Sequence, residues 1–122
     1  MFDDIYISPK ISKFGQKGSF KLIQNALSDS ESPKLAMVAN VTYKVDKKPT
    51  AIVVTDKRVI FACKQGFNEN QFDIVLNNIQ DIKKDTNNMM KFTVTIVTVN
   101  SSVQVDMTRL EFNQFYNSLR TI

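Results

Sequence analysis

The chain has 122 residues, of which 43% are hydrophobic and 23% are charged. This is the composition of one globular domain that is long enough to bury a core without disulfides or metal. Sixteen basic and twelve acidic residues leave a formal net charge of +4, which is compatible with an anionic partner but too small to require one. One cysteine excludes an internal disulfide framework, and the absence of histidine removes the commonest general base and metal ligand.

Neither a membrane span nor an export signal is predicted. The longest apolar runs, at residues 35–39 and 59–63, are far shorter than a transmembrane helix requires. The start of the chain carries acidic residues where a signal peptide carries a basic region followed by an apolar stretch. We therefore predict a cytoplasmic protein without a transmembrane segment.

The first 33 residues are predicted to form an arm followed by a short helix. Residues 1–18 hold two of the three glycines, and their apolar residues follow no sustained period, which indicates an irregular arm with one short strand. Phe20, Ile23 and Leu27 then recur at helical spacing, with Ser19 available as the N-cap. We expect this extension either to pack on the side of the domain or to serve in self-association.

After Pro33 the spacing of the apolar residues changes from the helical period of 3.6 residues to a period of two, which is typical of strands. Residues 35–45 alternate as a half-buried strand does, and residues 50–55 are β-branched or apolar throughout, which is typical of a central strand. Turn-forming residues separate five further short stretches of the same kind, around 59–63, 72–76, 79–82, 91–99 and 103–107. Seven short strands joined by tight turns predict a small antiparallel barrel or sandwich.

The chain ends in a predicted helix with clear boundary signals. Thr108 and Glu111 have the spacing of a capping box, in which each side chain bonds the other residue's backbone N–H. An apolar stripe follows at positions i, i+3, i+4 and i+7, formed by Phe112, Phe115, Tyr116 and Leu119. We expect this stripe to cover an open end of the barrel.

Four stretches of the sequence carry a family likeness: residues 35–38, 51–61, 72–76 and 115–119. Through them, the segment 34–122 resembles the bacterial PH-like family typified by YokE-like domains, and residues 54–61 also resemble the equivalent hairpin of GRAM domains. The resemblance implies a mainly β fold, a PH-like seven-stranded antiparallel barrel or sandwich capped by a C-terminal α-helix. Residues 34–122 would form this domain, and residues 1–33 would form the arm and helical extension.

Four lysines are candidate ligands for an anionic group or lipid. Lys44, Lys47 and Lys48 surround the first hairpin loop, and Lys64 is expected near them at the next loop on the same end. In eukaryotic PH domains that end of the barrel binds phosphoinositide headgroups, so the resemblance implies the same surface here. Those domains also carry basic residues on the second strand, whereas residues 50–54 are uncharged. This departure from the family pattern favours a solvated lysine loop over specific headgroup binding.

Three apolar residues near turns are candidates for contact with a partner. Met89 and Met90 follow two asparagines near a hairpin tip, and their flexible side chains either contact a partner or lipid or fold back under the barrel. Phe67, in another loop, has the same two interpretations.

The run Asp56-Lys57-Arg58 also has two interpretations. In the structural one, Asp56 holds the tight turn by an Asx-type hydrogen bond and Arg58 pairs with a nearby carboxylate or carbonyl. In the functional one, Arg58 contacts an anionic group of a ligand.

The residues offer little for catalysis. Cys63 lies on a predicted strand and is expected to be a core thiol. The glycines are isolated from one another, so they form neither a phosphate-binding loop nor a dinucleotide-binding motif. Asp81 and Asp85 are expected at the surface. Interleaved basic and aromatic residues, which nucleic-acid binding favours, are limited to Tyr43 beside Lys44. We predict a non-enzymatic binding or assembly module without cofactor or metal. Its partner would be a protein, including a second copy of the chain, with an anionic membrane lipid as the alternative.

Overall fold

The computed structural model describes residues 6–7, 17–43, 46–65, 68–86 and 91–120. These ranges hold two helices and eight strands. In chain order the elements are β1 (Tyr6–Ile7), α1 (Lys17–Ala26), β2 (Pro33–Tyr43), β3 (Asp46–Thr55), β4 (Arg58–Gln65), β5 (Asn68–Val75), β6 (Ile79–Thr86), β7 (Lys91–Thr98), β8 (Ser102–Thr108) and α2 (Arg109–Arg120). A short 3-10 turn, Leu76–Asn78, joins β5 to β6.

The predicted mainly β architecture is confirmed, with seven antiparallel strands from residue 33 onward and one helix before and one after them. The strand order is β5-β4-β3-β2-β8-β7-β6. Strand β2 pairs with β3 along its whole length. On its other side, its first part pairs with the parallel strand β1 and its last part, Asn40–Tyr43, pairs with β8. The strand predicted within the N-terminal arm is therefore present as β1.

The main core lies on the inner face of the sheet. Phe61 and Phe72 stack there with their ring centroids 4.6 Å apart. Alternate residues of six strands, together with Phe115 of α2, build this core, which comprises Leu35, Met37, Ala39, Val41, Ile52, Val54, Val59, Phe61, Ile74, Phe92, Val94, Ile96, Val103, Val105, Met107 and Phe115. The C-terminal helix thus covers the apolar interior as the sequence predicted.

A second core lies on the opposite face of β2, β3 and β4, which we call the outer face. It is formed by Ala36 and Val38 of β2, Ala51 and Val53 of β3, and Ile60 and Ala62 of β4, covered by Phe20 and Ile23 of α1. All six strand residues are at most 1% exposed. The prediction that the strand from Leu35 onward is half-buried is therefore wrong for its first half, because α1 covers the face that would otherwise meet solvent.

Helix α1 begins at Lys17, three residues before the first residue of a helix capped by Ser19. Ser19 lies within its first turn instead of capping it, and the buried Ser19 hydroxyl oxygen accepts a hydrogen bond from the backbone N–H of Lys64 (2.9 Å). The serine that looked like a helix cap is thus a contact between α1 and β4.

The predicted capping box of α2 is confirmed. The backbone N–H of Thr108 donates to Glu111 Oε1 (2.9 Å), and the backbone N–H of Glu111 donates to Thr108 Oγ1 (3.2 Å). Phe115 is fully buried, whereas Tyr116 is 37% exposed. Tyr116 lies at the border of the apolar stripe, because its ring packs beside Phe112 instead of entering the core.

We expect Thr108→Ala to lower the free energy of unfolding by about 1 kcal/mol, because the Glu111 backbone N–H loses its side-chain acceptor. Urea unfolding followed by circular dichroism measures this loss. Thr108→Ser keeps the hydroxyl and should unfold near the wild-type midpoint. A serine variant as unstable as the alanine variant would contradict the capping role.

Candidate functional site

The most extensive polar constellation centres on the Arg58 guanidinium. Its Nε and Nη2 atoms donate to the two carboxylate oxygens of Glu31 (2.8 and 2.9 Å), and Nη1 donates to Asp73 Oδ2 (3.2 Å). Nη2 also donates to the Ala26 carbonyl at the end of α1 (2.8 Å). We call Ala26, Glu31, Thr55, Arg58 and Asp73 the Arg58 cluster. The predicted pairing of Arg58 with a carboxylate or carbonyl is thus confirmed.

Thr55 connects this cluster to the β3–β4 turn. Its hydroxyl donates to Glu31 Oε2 (2.7 Å) and accepts from the backbone N–H groups of Lys57 and Arg58 (3.1 and 3.0 Å). Asp56 was predicted to hold this turn by an Asx-type bond, and that prediction is wrong. The Asp56 carboxylate accepts from the backbone N–H of Ser32 instead (2.9 Å), because Thr55 already bonds the N–H groups of the turn.

The Arg58 cluster contains an ion pair in which Glu31 is buried and Arg58 is partly buried. The Glu31 side chain is 2% exposed and the Arg58 side chain 23%. Hydrogen bonds from Arg58 lower the pKa of Glu31 to about 2, although burial opposes this, and the bond to Glu31 raises the pKa of Arg58 above its ordinary value. Every buried side-chain nitrogen and oxygen atom within the described ranges has a hydrogen-bond partner. The cluster therefore acts as a structural junction of α1, its linker, the β3–β4 turn and β5.

The described lysines do not converge on one pocket. Lys47 pairs across the sheet with Thr42 and Lys48 pairs with the core residue Val41, so the two side chains leave β3 on opposite faces. The Lys47 ammonium lies 2.6 Å from Asp106 Oδ2, in a pair whose side chains are 56% and 37% exposed.

Lys64 lies at the same end of the sheet, near the end of β4. Its aliphatic chain passes Gly18, where a Cβ atom would stand 3.0 Å from Lys64 Cδ. The absence of a side chain at Gly18 leaves room for this contact with α1. The other candidates, Lys44, Phe67, Met89 and Met90, lie outside the described residues.

The two strands that end the sheet differ in how they are protected from pairing. Strand β6 carries four charged residues among eight, Asp81, Lys83, Lys84 and Asp85. Lys84 Nζ stands over the rings of Phe92 and Phe112, 4.8 and 5.1 Å from their centroids, so a charged group covers the core at this edge. Charges of this kind prevent a further strand from adding to a sheet.

Strand β5 is less protected. Two of its eight residues are charged, Glu69 and Asp73, and Asp73 is bound to Arg58. Val75, at its end, is 44% exposed, and Val99, in the turn between β7 and β8, is 69% exposed. In the part of the chain that the structure describes, β5 has one strand neighbour, β4.

A cleft of about 320 Å³ opens between the end of β5 and the β7–β8 turn. We call it the seam cleft, and it is lined by Phe72, Asp73, Ile74, Val75, Asn78, Thr98, Ser101 and Val103. Thr98 and Ser101 bond each other across the turn, which fixes this wall of the cleft. Apolar and hydrogen-bonding groups are thus combined beside the less protected edge.

Three observations bear on the other sequence predictions. Cys63 is buried, as expected of a core thiol, and the described residues contain no group of three or more metal-ligating side chains. Within the described residues, no helix is long and apolar enough to cross a membrane.

The chain belongs to the bacterial PH domain family, because the model of that family matches residues 27–121. The PH-like fold predicted from the sequence is thereby confirmed. The narrower likeness to YokE-like and GRAM domains stays a prediction, as does the domain boundary between residues 33 and 34. No curated protein matches the chain.

Two solved structures share the fold. One is the C-terminal domain of an unknown protein from Leishmania infantum, with a TM-score of 0.60 and 17% identity over 89% of this chain and 94% of that one. The other is autoinhibited Vav1, with a TM-score of 0.58 and 15% identity over 84% of this chain and 22% of that one. At these identities the likeness concerns the fold alone.

Proposed function

We propose that this chain is a non-enzymatic PH-like binding and assembly module. Its partner is a protein, in the first instance a second copy of the chain, and the contact surface is the β5 edge with the seam cleft. The single observation that carries this proposal is the contrast between the charged edge β6 and the sparsely charged edge β5.

An edge strand can bind an extended segment of another chain through main-chain hydrogen bonds, while neighbouring pockets receive its side chains. The β5 edge offers both features, since the seam cleft adjoins the strand and exposed valines lie beside it. The cleft volume of about 320 Å³ suits one or two apolar side chains and is at the lower limit of small-molecule sites. A protein segment is therefore favoured over a small substrate.

The proposal predicts that added charge on β5 weakens self-association. Gln71 is exposed on β5 between Glu69 and Asp73, so Gln71→Glu places three acidic residues on one face of the edge. Like charges brought opposite each other in a pair of β5 strands should weaken the dimer several-fold. Sedimentation equilibrium over a concentration series measures the dissociation constant.

The matched control is Gln80→Glu, the same change at an exposed position of the other edge strand, β6. This variant should associate like the wild-type chain. A wild-type chain that stays monomeric at high micromolar concentration would exclude self-association, and equal effects of the two variants would remove β5 as the contact surface.

Peripheral binding to an anionic membrane is the second candidate. It is favoured by the position of Lys47 and Lys48 at the hairpin end of β3, where the Lys47 side chain is 56% exposed. Such binding should weaken with salt and with the double change Lys47→Ala and Lys48→Ala. Equal cosedimentation with phosphatidylcholine and phosphatidylserine vesicles would exclude it.

A further inference from the structure

We propose that the outer face of β2, β3 and β4 is a binding site for an amphipathic helix of a protein partner, and that α1 occupies this site in the unbound chain. The surface is distinct from the β5 edge. Six small or branched apolar residues form it, and all lie between residues 36 and 62. The match to the bacterial PH domain begins at residue 27, so the face belongs to the family domain and α1 precedes it.

The fit of α1 defines the chemistry of the partner helix. Phe20 and Ile23 pack on the outer face of the three strands, and Leu22 and Leu27 pack at the margin. The site therefore accepts a short helix with large apolar residues at positions i, i+3 and i+7 over a surface of alanines, valines and one isoleucine. The first turn of α1, which contacts the backbone of Lys64 through Ser19, contains no acidic residue.

Helix α1 is weak without the sheet. It has ten residues, which is below the length at which isolated helices are stable in water, and Gly18 lowers its helical propensity. It has no acidic residue in its first turn and no basic residue in its last, so its own charges do not stabilise the helix dipole. Its helical state depends on docking, as expected of an element that can be displaced.

Strand β4 supplies the polar contact at each end of α1. The Lys64 N–H donates to Ser19 Oγ near the N-terminus, and the Arg58 guanidinium donates to the Ala26 carbonyl at the C-terminus (2.9 and 2.8 Å). Arg58 thus provides the cation that the last turn of the helix lacks. A partner helix in the same place would meet the same donor, because a free C-terminal carbonyl is present in every helix.

The test uses the full-length chain and a fluorescent peptide of residues 17–28 as the probe. Tethered α1 competes at a high effective concentration, so the wild-type chain should bind the peptide weakly. Ile23→Ala in the chain weakens its own α1 and leaves the outer face intact, so peptide affinity should rise by about tenfold or more. Gln24→Ala, on the exposed side of α1, is the control and should bind like the wild type.

Hydrogen exchange of the wild-type chain keeps the proposal testable if Ile23→Ala fails to fold. Amides of α1 should exchange at least about tenfold faster than those of β3 and β4, since the helix opens without the sheet. The proposal is overturned if the α1 amides exchange only together with the β3 and β4 amides, or if a folded Ile23→Ala chain binds the peptide no better than the wild type. Both results are independent of self-association through β5.

Discussion

Replacing Arg58 by alanine is expected to lower the free energy of unfolding by about 3 kcal/mol, because it leaves the carboxylate of Glu31 buried without its cation. The Glu31 side chain is 2% exposed, and it would keep only the Thr55 hydroxyl and the long bond from the Ser28 backbone N–H. Asp73 and the Ala26 carbonyl would lose a donor as well. The loss is large relative to the stability of a domain of this size.

Urea unfolding of Arg58→Ala and of Lys57→Ala measures this effect against a matched control. Lys57 is the neighbouring cation in the same turn, and its ammonium makes an exposed bond to Ser30 (2.7 Å). Its replacement should change the free energy of unfolding by no more than about 0.5 kcal/mol. Equal losses in the two variants would refute the structural role of the Arg58 cluster.

Acid should remove the stabilisation that Glu31 provides. In the folded chain its pKa is lowered from an ordinary 4.5 to about 2. The unfolded chain therefore takes up a proton near pH 4.5 while the folded chain stays ionised, so stability is complete above that pH and declines as the pH falls toward 2. A lowering of this size corresponds to about 3 kcal/mol at neutral pH.

The comparison of wild type with Glu31→Gln isolates this contribution from that of the other carboxylates. The difference in their free energies of unfolding should be largest at pH 7, narrow between pH 4.5 and 2, and nearly vanish at the acid end. Urea unfolding at a series of pH values measures it. A difference that does not depend on pH would mean that the Glu31 charge has no part in the stability of the fold.

Local patterns in the sequence predicted most of the architecture. The alternation of apolar residues located the seven strands, and the capping box Thr108 to Glu111 located the start of α2. These features could be predicted because each depends on residues a few positions apart. The start of α1 was predicted inaccurately because it depends on a contact between distant residues. Ser19 bonds the backbone of Lys64 instead of capping its own helix.

The Arg58 cluster could be predicted only in part. The sequence indicated that Arg58 pairs with a carboxylate or carbonyl, but its partners Glu31 and Asp73 are 27 and 15 positions away. Glu31 lies in a serine-rich linker, where nothing local distinguishes it from a solvated residue. The register between the strands determines which residues become neighbours of Arg58. This register cannot be read from the residues that lie close to Arg58 in the sequence.

The candidate binding surface was missed for the same reason. The sequence pointed to Lys44, Lys47, Lys48 and Lys64, because charges near turns are visible in a linear pattern. The β5 edge follows from the strand order, and the seam cleft follows from the tertiary fold, which brings the end of β5 beside the β7–β8 turn although β4, β3 and β2 separate β5 from β8 in the sheet. The opposite directions of Lys47 and Lys48 likewise follow from their register against β2.

Hydrogen exchange of the full chain at low and at high protein concentration tests the proposed assembly surface most directly. A strand that pairs with a second copy gains backbone hydrogen bonds, so its amides gain protection as the concentration rises. We predict concentration-dependent protection confined to residues 68–75 and to the β7–β8 turn. Protection that is the same at both concentrations, or that changes only at the β2–β3 hairpin, would contradict assembly through β5.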